Sequence, residues 1–202
     1  MTIRKGEEWG SVGPPPAGML EARSDAELRA IVETCRADGR DIPPVALFGG
    51  DLLRSVGGAG TLRDSMVTAP IDVVRVESPG AAVTWFVAHL VARRSWWSGE
   101  IVAAMNAQFH GHRDVAPRSH PNDGRVDVLR VSSSMSLRHR LQARARLVQG
   151  THVPHPAIEL RQVRSIELDL RRPLRIWLDG TPWTTASQFA LTVEPDALLI
   201  VF

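Results

Sequence analysis

The sequence predicts a mainly β (α+β) fold with a short α/β segment near its N-terminal end, and three observations support this. The chain has 202 residues, 44% of them hydrophobic, so one domain with a sizeable core is expected. Helical periodicity and a short apolar run dominate before about residue 70. From residue 71 onward, runs rich in Val, Ile and Leu alternate with Gly, Pro and Ser, which is typical of β-strands. We therefore expect three segments: an arm or linker over 1–23, a truncated α/β segment over 24–70 and a β-rich domain over 71–202.

The N-terminal elements are predicted from caps and breakers. The arm is interrupted by Gly and a Pro-Pro-Pro run, so we expect no regular structure up to about Leu20. Ser24 can cap a helix over 25–38, because Glu27 follows three residues later and apolar residues then recur on one helical face. The apolar run 45–48 predicts a buried strand that passes through a Gly-Gly turn into a short second helix.

The remaining elements are strands with one helical interruption. Ser136 can cap this helix and Gly150 can end it, with Leu137, Leu141 and Leu147 expected to face inward and the Arg residues outward. The strands are expected at 71–76, 83–91, 101–109, 126–131, 158–170, 174–178, 188–193 and 198–201.

Composition and charge narrow the class of protein. Apolar runs fall short of the roughly 20 residues that cross a bilayer, and no secretory signal is apparent, so a cytoplasmic location is expected. The lone Cys35 cannot form an internal disulfide. Residues 86–180 hold 15 Arg and 8 acidic residues, whereas the remainder holds 9 basic and 14 acidic residues. This basic half predicts an anionic partner, with a solvated Arg surface as the alternative. Nucleic acid is not expected, because no nucleic-acid-binding motif accompanies the Arg residues.

Four short motifs in a fixed order indicate a family. They are Asn106-Ala107-Gln108-Phe109, the run from Val115 to Val128 containing Asn122-Asp123-Gly124, the helix ending in Gly150-Thr151-His152, and Leu178-Asp179-Gly180. With these motifs, the chain over 45–202 resembles the second, β-rich domain of the bacterial diacylglycerol kinase-like lipid kinases, relatives of sphingosine kinases and, in fold, of NAD kinases. The resemblance implies a two-sheet, β-sandwich-like domain. An active member would be an ATP-dependent lipid kinase.

The resemblance also covers the Gly-rich turn. Gly49, Gly50, Asp51 and Arg54 resemble the family's G-T-G-N-D-L-A-R motif, although the family Asn is replaced by Gly50. We expect these four residues to bind a phosphate or another part of the ligand. Two alternatives align the family's phosphate-binding G-G-D-G-T with this turn or with 57–61. The 48 residues before Gly49 are too few for the family's nucleotide-binding half, so ATP is not expected to bind unaided.

Two acidic residues are candidates for catalysis and metal binding. The resemblance implies that Asp179 is a general base acting on a lipid hydroxyl, although the family Glu that follows is Thr181 here. The alternative is a simple Asp-Gly turn. Asp123 resembles a structural Mg²⁺ ligand, completed here by the backbone carbonyls of His120 and Arg125. A capped turn without metal is the alternative.

Histidine and arginine clusters give two further hypotheses. Zinc is one interpretation of the five clustered histidines, and sequence drift is the other. They are His110, His112, His120, His152 and His155. Arg140 and Arg144 on the basic helix, with the Arg-Arg-Ser-Trp-Trp run over 93–97, predict a surface for lipid headgroups. The alternative is a hydrated Arg row with the Trp pair packed in a β-bend.

The leading functional hypothesis is a lipid-kinase-derived module without independent ATP-dependent activity. It would bind an anionic lipid-like or phosphorylated small molecule near Asp179, Asp51 and Arg54, with Mg²⁺ as the candidate cofactor and the inner membrane face as a peripheral location. One alternative is an active lipid kinase-like phosphotransferase, alone or completed by a nucleotide-binding subunit or a second copy. The other is a structural or interaction domain that forms a homodimer.

Overall fold

Most regular structure is β over residues 9–202, the part of the chain that the computed structural model describes. The helices are α1 (Asp25–Ala37), α2 (Asp51–Ser55) and α3 (Leu137–Arg146). The strands are β1 (Ser11–Gly13), β2 (Leu20–Ala22), β3 (Val45–Leu47), β4 (Met66–Glu77), β5 (Thr84–Phe86), β6 (His89–Arg93), β7 (Ile101–Met105), β8 (Phe109–His110), β9 (Arg113–Asp114), β10 (Val126–Val131), β11 (Ile158–Val163), β12 (Ser165–Leu178) and β13 (Thr181–Val201).

The strands form one large folded sheet and one small hairpin. The large sheet has the order β1-β4-β13-β12-β6-β7-β10-β11, and β8 pairs with β9 in the second sheet. Strands β12 and β13 are long and break register between Asp169 and Leu174, which lets a strand bend. Asp72 of β4 donates its N–H to Pro121 O at 2.7 Å and accepts the Gly124 N–H at 2.7 Å, so β4 approaches the start of β10. The predicted β-sandwich-like domain is confirmed.

Two apolar clusters fill this architecture. The larger cluster lies within the folded sheet and draws on β4, β5, β6, β7, β10, β12 and β13, with Phe86, Leu90, Ile176 and Leu178 among its fully buried side chains. The second cluster packs α1 and α2 against β3 and the end of β13. Burial of these apolar surfaces is the main stabilising contribution to the fold.

The N-terminal α/β segment is a small parallel unit. β2 and β3 are parallel and joined by α1, and β3 pairs in parallel with the end of β13. The predicted helix is confirmed: Ser24 Oγ accepts the Glu27 N–H at 3.2 Å, and Leu28, Val32 and Cys35 are buried. The proposed division at residue 70 remains a prediction, and β4 runs continuously across that position.

The arm is more ordered than the sequence suggested. β1 pairs antiparallel with β4, and the Trp9 indole donates to Pro70 O at 3.0 Å. The prediction of no regular structure is therefore wrong at 11–13, because the edge of β4 offers unpaired backbone groups that an extended segment can satisfy. Residues 1–8 of the predicted arm lie outside the described residues.

The N-terminal part of helix α3 is oriented differently from the prediction. Leu137 and Leu141 are 54% and 50% exposed, whereas Arg140 is only 5% exposed. The Arg140 guanidinium donates to the carbonyls of Met135 at 3.1 Å, Ser132 at 2.9 Å and Gly99. These three carbonyls explain the reversal, because a buried cation is tolerated where hydrogen bonds satisfy it. The prediction is therefore wrong for Leu137, Leu141 and Arg140, whereas Leu147 is half-buried and both Arg138 and Arg146 are exposed, as predicted.

Candidate functional site

Three aspartates and one histidine form a buried cluster at the starts of two helices and one strand and in one β-turn. Asp25 begins α1, Asp51 begins α2, His89 begins β6, and Asp179 lies in the turn between β12 and β13. Ligand atoms of Asp25, Asp51 and His89 all lie within 4.8 Å of one another. The sequence predicted that Asp51 and Asp179 share one cleft, and both lie next to His89. Sequence reasoning missed Asp25 and His89.

Asp179 is a buried anchor in its turn. Its Oδ2 accepts the Val87 N–H at 3.0 Å, and its Oδ1 accepts the N–H groups of Ala88 at 2.9 Å and His89 at 3.0 Å. Burial raises the pKa of Asp179, although the positive charge of His89 and these hydrogen bonds act in the opposite direction. Both oxygens are committed to backbone donors, whereas a general base needs an oxygen within reach of its substrate. The geometry therefore favours the Asp-Gly turn interpretation over the general base.

Asp51 and His89 form a charged pair. Their Oδ2 and Nε2 atoms lie 3.1 Å apart, and the Gly111 N–H also donates to Asp51 at 2.9 Å. Burial alone would raise the pKa of Asp51, but the hydrogen bonds from His89 and Gly111 lower it below its usual value. Burial likewise opposes charge on His89, yet the hydrogen bond to Asp51 and the charge of Asp179 raise its pKa. His89 is therefore cationic at a higher pH than an ordinary histidine.

The imidazole ring of His110 lies next to the Asp51–His89 pair. The ring centroids of His89 and His110 lie 4.5 Å apart. Burial and the nearby positive charge of His89 lower the pKa of His110 to about 4, so His110 is neutral near pH 7. The Nδ1 atom of His89 is buried and has no hydrogen-bond partner among the described residues. The two neighbouring histidines thus combine one cationic ring, His89, with one neutral ring, His110.

The Gly49-Gly50 turn does not present a free phosphate cradle. Asp25 accepts the Asp51 N–H at 2.7 Å and the Leu52 N–H at 3.1 Å, so the chain's own carboxylate occupies the N-terminus of α2. A Cβ on Gly49 would collide with the carbonyl oxygen of Arg23, and one on Gly50 would collide with Asp25 Oδ1. Burial raises the pKa of Asp25 to about 6. The donors expected to bind a phosphate are already satisfied, which conflicts with the predicted phosphate-binding role.

Arg54 contacts the β8–β9 hairpin next to Asp51. Its guanidinium donates to Gly111 O at 2.7 Å and stacks over the Phe109 ring at 4.3 Å. Gly111 in turn donates its N–H to Asp51. Arg54 therefore lies beside Asp51, as the sequence predicted, with at least one donor used to hold the β8–β9 hairpin.

Asp123 adopts the contacts of a capped turn. Its Oδ1 accepts the Arg125 N–H at 2.9 Å, its Oδ2 accepts from Gln162 Nε2 at 3.0 Å, and its own N–H donates to His120 O at 3.2 Å. Burial raises the pKa of Asp123 to about 6, and both of its carboxylate oxygens already accept hydrogen bonds. These residues do not fit the predicted Mg²⁺ site. The Asp25–Asp51–His89 cluster is also a poor match, because Mg²⁺ prefers oxygen ligands and waters.

The histidines proposed for zinc make several separate contacts. His110 lies beside His89, His120 packs edge-on against Trp9 with centroids 4.7 Å apart, and His155 lies 5.4 Å from His139. His152 is 3% exposed. These three separate ring contacts give no support for a shared zinc site.

A cavity of about 430 Å³ lies between α3 and one face of the folded sheet. Most of its lining is apolar, from Val91, Ile101, Ala103, Met105, Val115, Leu129, Val131, Met135, Ala143, Leu147, Ile158 and the rings of Trp96, Trp97 and Trp177. His89 and His110 also line it, so the charged pair adjoins its wall. Arg93 lies between two of these rings, 4.2 Å from Trp96 and 4.4 Å from Trp177.

Only some of the residues predicted to form a surface for lipid headgroups lie together in the structure. Arg144 lines the cavity and stacks over Trp97 at 5.2 Å, so these two predicted residues do come together. Arg140 also borders the cavity: its Nε and Nη2 atoms donate to backbone carbonyls, whereas its buried Nη1 has no partner among the described residues. Arg113 joins the lining and was not singled out from the sequence. Only its position in the Arg-rich half could have indicated it.

Comparison with known proteins agrees with this architecture. Three solved structures from Bacillus anthracis str. Sterne are similar to the chain, each at 11% identity. One diacylglycerol kinase has a TM-score of 0.57, with 80% of this chain and 67% of that chain covered. Two candidate diacylglycerol kinases have TM-scores of 0.60 and 0.65, covering 80% and 91% of this chain and 70% and 77% of theirs. This likeness concerns the fold alone, and no curated protein matches the chain.

The family is shown by sequence. Residues 82–202, more than half of the chain, match the model of the YegS C-terminal NAD kinase beta sandwich-like domain. This match confirms the resemblance drawn from the four motifs, all of which lie within that range. The chain therefore belongs to the family of YegS C-terminal, NAD kinase β-sandwich-like domains, the kinase-like second domain of diacylglycerol kinase-like proteins.

Proposed function

We propose that this chain binds an anionic, single-chain amphiphile in the cavity and does not itself catalyse ATP-dependent phosphoryl transfer. One observation carries the proposal: a largely apolar cavity of about 430 Å³ is bordered by arginines and by His89. Ligand sites commonly combine such apolar walls with a few placed polar groups. The diacylglycerol kinase descriptions of the similar structures also support a lipid ligand.

The size of the cavity supports a single acyl chain. The cavity volume of about 430 Å³ is many times the roughly 30 Å³ that one water molecule takes up in the liquid, and a methylene group is of comparable size. A single acyl chain therefore has room to enter the cavity. Burying the chain against the Trp, Leu and Val walls supplies most of the binding free energy.

The charge of the cavity supports an anionic headgroup. Arg93, Arg113 and Arg144 line it, and His89, whose charge is paired with Asp51, adds a buried Nδ1 that has no hydrogen-bond partner among the described residues. No Asp or Glu belongs to the lining in the part of the chain that the structure describes. Guanidinium groups bind phosphate and carboxylate oxygens with paired hydrogen bonds. The same headgroup chemistry is shared by fatty acids and lysophosphatidates.

Two sets of hydrogen bonds support the proposal that the chain does not catalyse phosphoryl transfer by itself. The N-terminus of α2 is occupied by the Asp25 carboxylate, and both oxygens of Asp179 accept backbone N–H groups. Phosphoryl transfer depends on positioning Mg-nucleotide against charged and N–H donors. A nucleotide would have to displace Asp25 before its phosphate could use the same donors.

Calorimetric titration tests the proposal. The purified chain is titrated below the critical micelle concentration with oleoyl-lysophosphatidate, with the neutral monooleoylglycerol as a matched ligand, and with Mg-ATP. We expect saturable binding of the lysophosphatidate, at least about tenfold weaker binding of the neutral lipid because the charge-assisted hydrogen bonds are lost, and no saturable heat with Mg-ATP. Equal affinity for both lipids would contradict the anionic part of the proposal. Saturable Mg-ATP binding would favour the phosphotransferase.

Binding of an anionic amphiphile should weaken as pH rises. The pKa of His89 is raised in the folded protein, so the ring is cationic below that pKa and loses its charge as pH rises through it. Exchanging a charged for a neutral hydrogen bond lowers affinity about fivefold. A single-chain sulfonate is the suitable probe because its own charge is constant. His89→Gln should remove this pH dependence, and an unchanged pH profile in that variant would exclude His89 as its source.

A further inference from the structure

The outer side of α3 carries an exposed apolar face. Leu137 and Leu141 lie one helical turn apart and are 54% and 50% exposed, and Val148 just beyond the helix is 56% exposed. Trp97 is 47% exposed, and it adjoins the helix because Arg144 stacks over its ring. These four apolar side chains, Leu137, Leu141, Val148 and Trp97, are called the α3 apolar face below. Exposed apolar groups that cluster in this way mark interaction sites.

The charged side chains of α3 itself are all basic. The helix contains Arg138, Arg140, Arg144 and Arg146 and no acidic residue. Arg138 and Arg146 are exposed, while Arg140 is buried. A short helix with apolar residues, an adjoining Trp and flanking arginines has the composition of a segment that lies in the headgroup region of a membrane. Anionic lipids attract such basic segments.

We propose that the α3 apolar face docks on the surface of an anionic lipid bilayer. Leu137 and Leu141 would enter the acyl boundary, Trp97 would lie at headgroup depth, and Arg138, beside Leu141 on the helix, would contact lipid phosphates. Arg146 lies on the far side of the helix and would attract the anionic surface at longer range. Ala143 and Leu147 of the same helical segment line the cavity, so docking places the cavity beside the lipid. The proposal is independent of cavity occupancy, since a docked helix needs no bound ligand.

Vesicle co-sedimentation tests the docking surface. The chain is mixed with phosphatidylcholine vesicles that contain or lack phosphatidylglycerol. We expect binding to the anionic vesicles that Leu137→Gln/Leu141→Gln lowers at least about tenfold, because two leucines no longer leave water. Gln has nearly the helix propensity of Leu, so α3 should persist. Leu62→Gln, at a leucine 50% exposed and outside the cavity lining, is the matched control and should bind as the unmodified chain does.

Further variants and measurements distinguish docking on a membrane from dimer formation and from ligand binding in the cavity. Arg138→Gln/Arg146→Gln should weaken binding to anionic vesicles several-fold and reduce its salt dependence. Equal sedimentation with neutral vesicles would overturn the electrostatic part. A concentration-dependent dimer in sedimentation velocity that the Leu137→Gln/Leu141→Gln variant abolishes would overturn the membrane assignment in favour of a second copy. Titration of the same variant with oleoyl-lysophosphatidate tests the cavity alone: retained binding with lost sedimentation separates docking from the proposed function.

Discussion

Replacing Asp179 with alanine is expected to lower the free energy of unfolding by about 3–6 kcal/mol, because three buried N–H groups lose their acceptor. These groups belong to Val87, Ala88 and His89, and they lie 2.9–3.0 Å from the carboxylate oxygens. The positive φ of 48° at Asp179 adds to the cost, since alanine disfavours that conformation more than aspartate does. Urea denaturation monitored by tryptophan fluorescence measures the change.

Two variants show whether this loss comes from the lost hydrogen bonds. Asp179→Asn should cost less, about 1–3 kcal/mol, because an amide oxygen still accepts two of the N–H groups while its NH₂ opposes the third. Asp64→Ala, at an exposed acid, should change stability by about 0.5 kcal/mol or less. An Asp179→Ala protein as stable as the Asp64→Ala protein would contradict the anchoring role of Asp179.

Filling the cavity should abolish ligand binding without unfolding the domain. Ala143 is half-buried on the cavity side of α3. Ala143→Phe places a ring where the acyl chain would lie. Displacing several methylene groups, at roughly 0.8 kcal/mol each, predicts at least about a hundredfold loss of affinity for oleoyl-lysophosphatidate. Calorimetric titration measures this loss directly.

The helix supplies a matched control for this variant. Ala145 lies two residues further along α3 and is exposed. Ala145→Phe makes the same chemical change on the same helix, with the same cost in helix propensity, and leaves the cavity empty. Its affinity should equal that of the unmodified chain. If both variants bind equally well, the ligand lies outside the cavity.

The local elements were predictable because their signals are local. Ser24 and Glu27 mark the start of α1, and alternating or continuous apolar runs mark the strands. The order of four motifs also indicated the family, and the resemblance of the Gly-rich turn led us to expect Asp51 near Asp179. Each of these signals depends on residue types a few positions apart, which a single sequence displays fully.

The partners of the site residues were not predictable in the same way. Asp25 stands in a helix-start pattern typical of any N-terminus, yet its carboxylate crosses to α2, 26 residues away. His89 lies within an apolar run that predicts only a strand. Asp25 and His89 contact Asp51 only because the fold brings segments that are distant in the sequence close together. The orientation of α3 was wrong for a related reason, since backbone carbonyls from outside the helix attract Arg140 inward and leave the leucines exposed.

Quenching of tryptophan fluorescence by a brominated lysophosphatidate shows whether an acyl chain occupies the cavity. The exposed Trp97 is first replaced by Phe, so that contact at the surface contributes little. Trp96 and Trp177 remain in the cavity wall. The structure predicts saturable quenching that is absent with the non-brominated lipid and lost in an added Ala143→Phe. Quenching that persists unchanged in Ala143→Phe, or no quenching at saturating lipid, would contradict occupation of the cavity by an acyl chain.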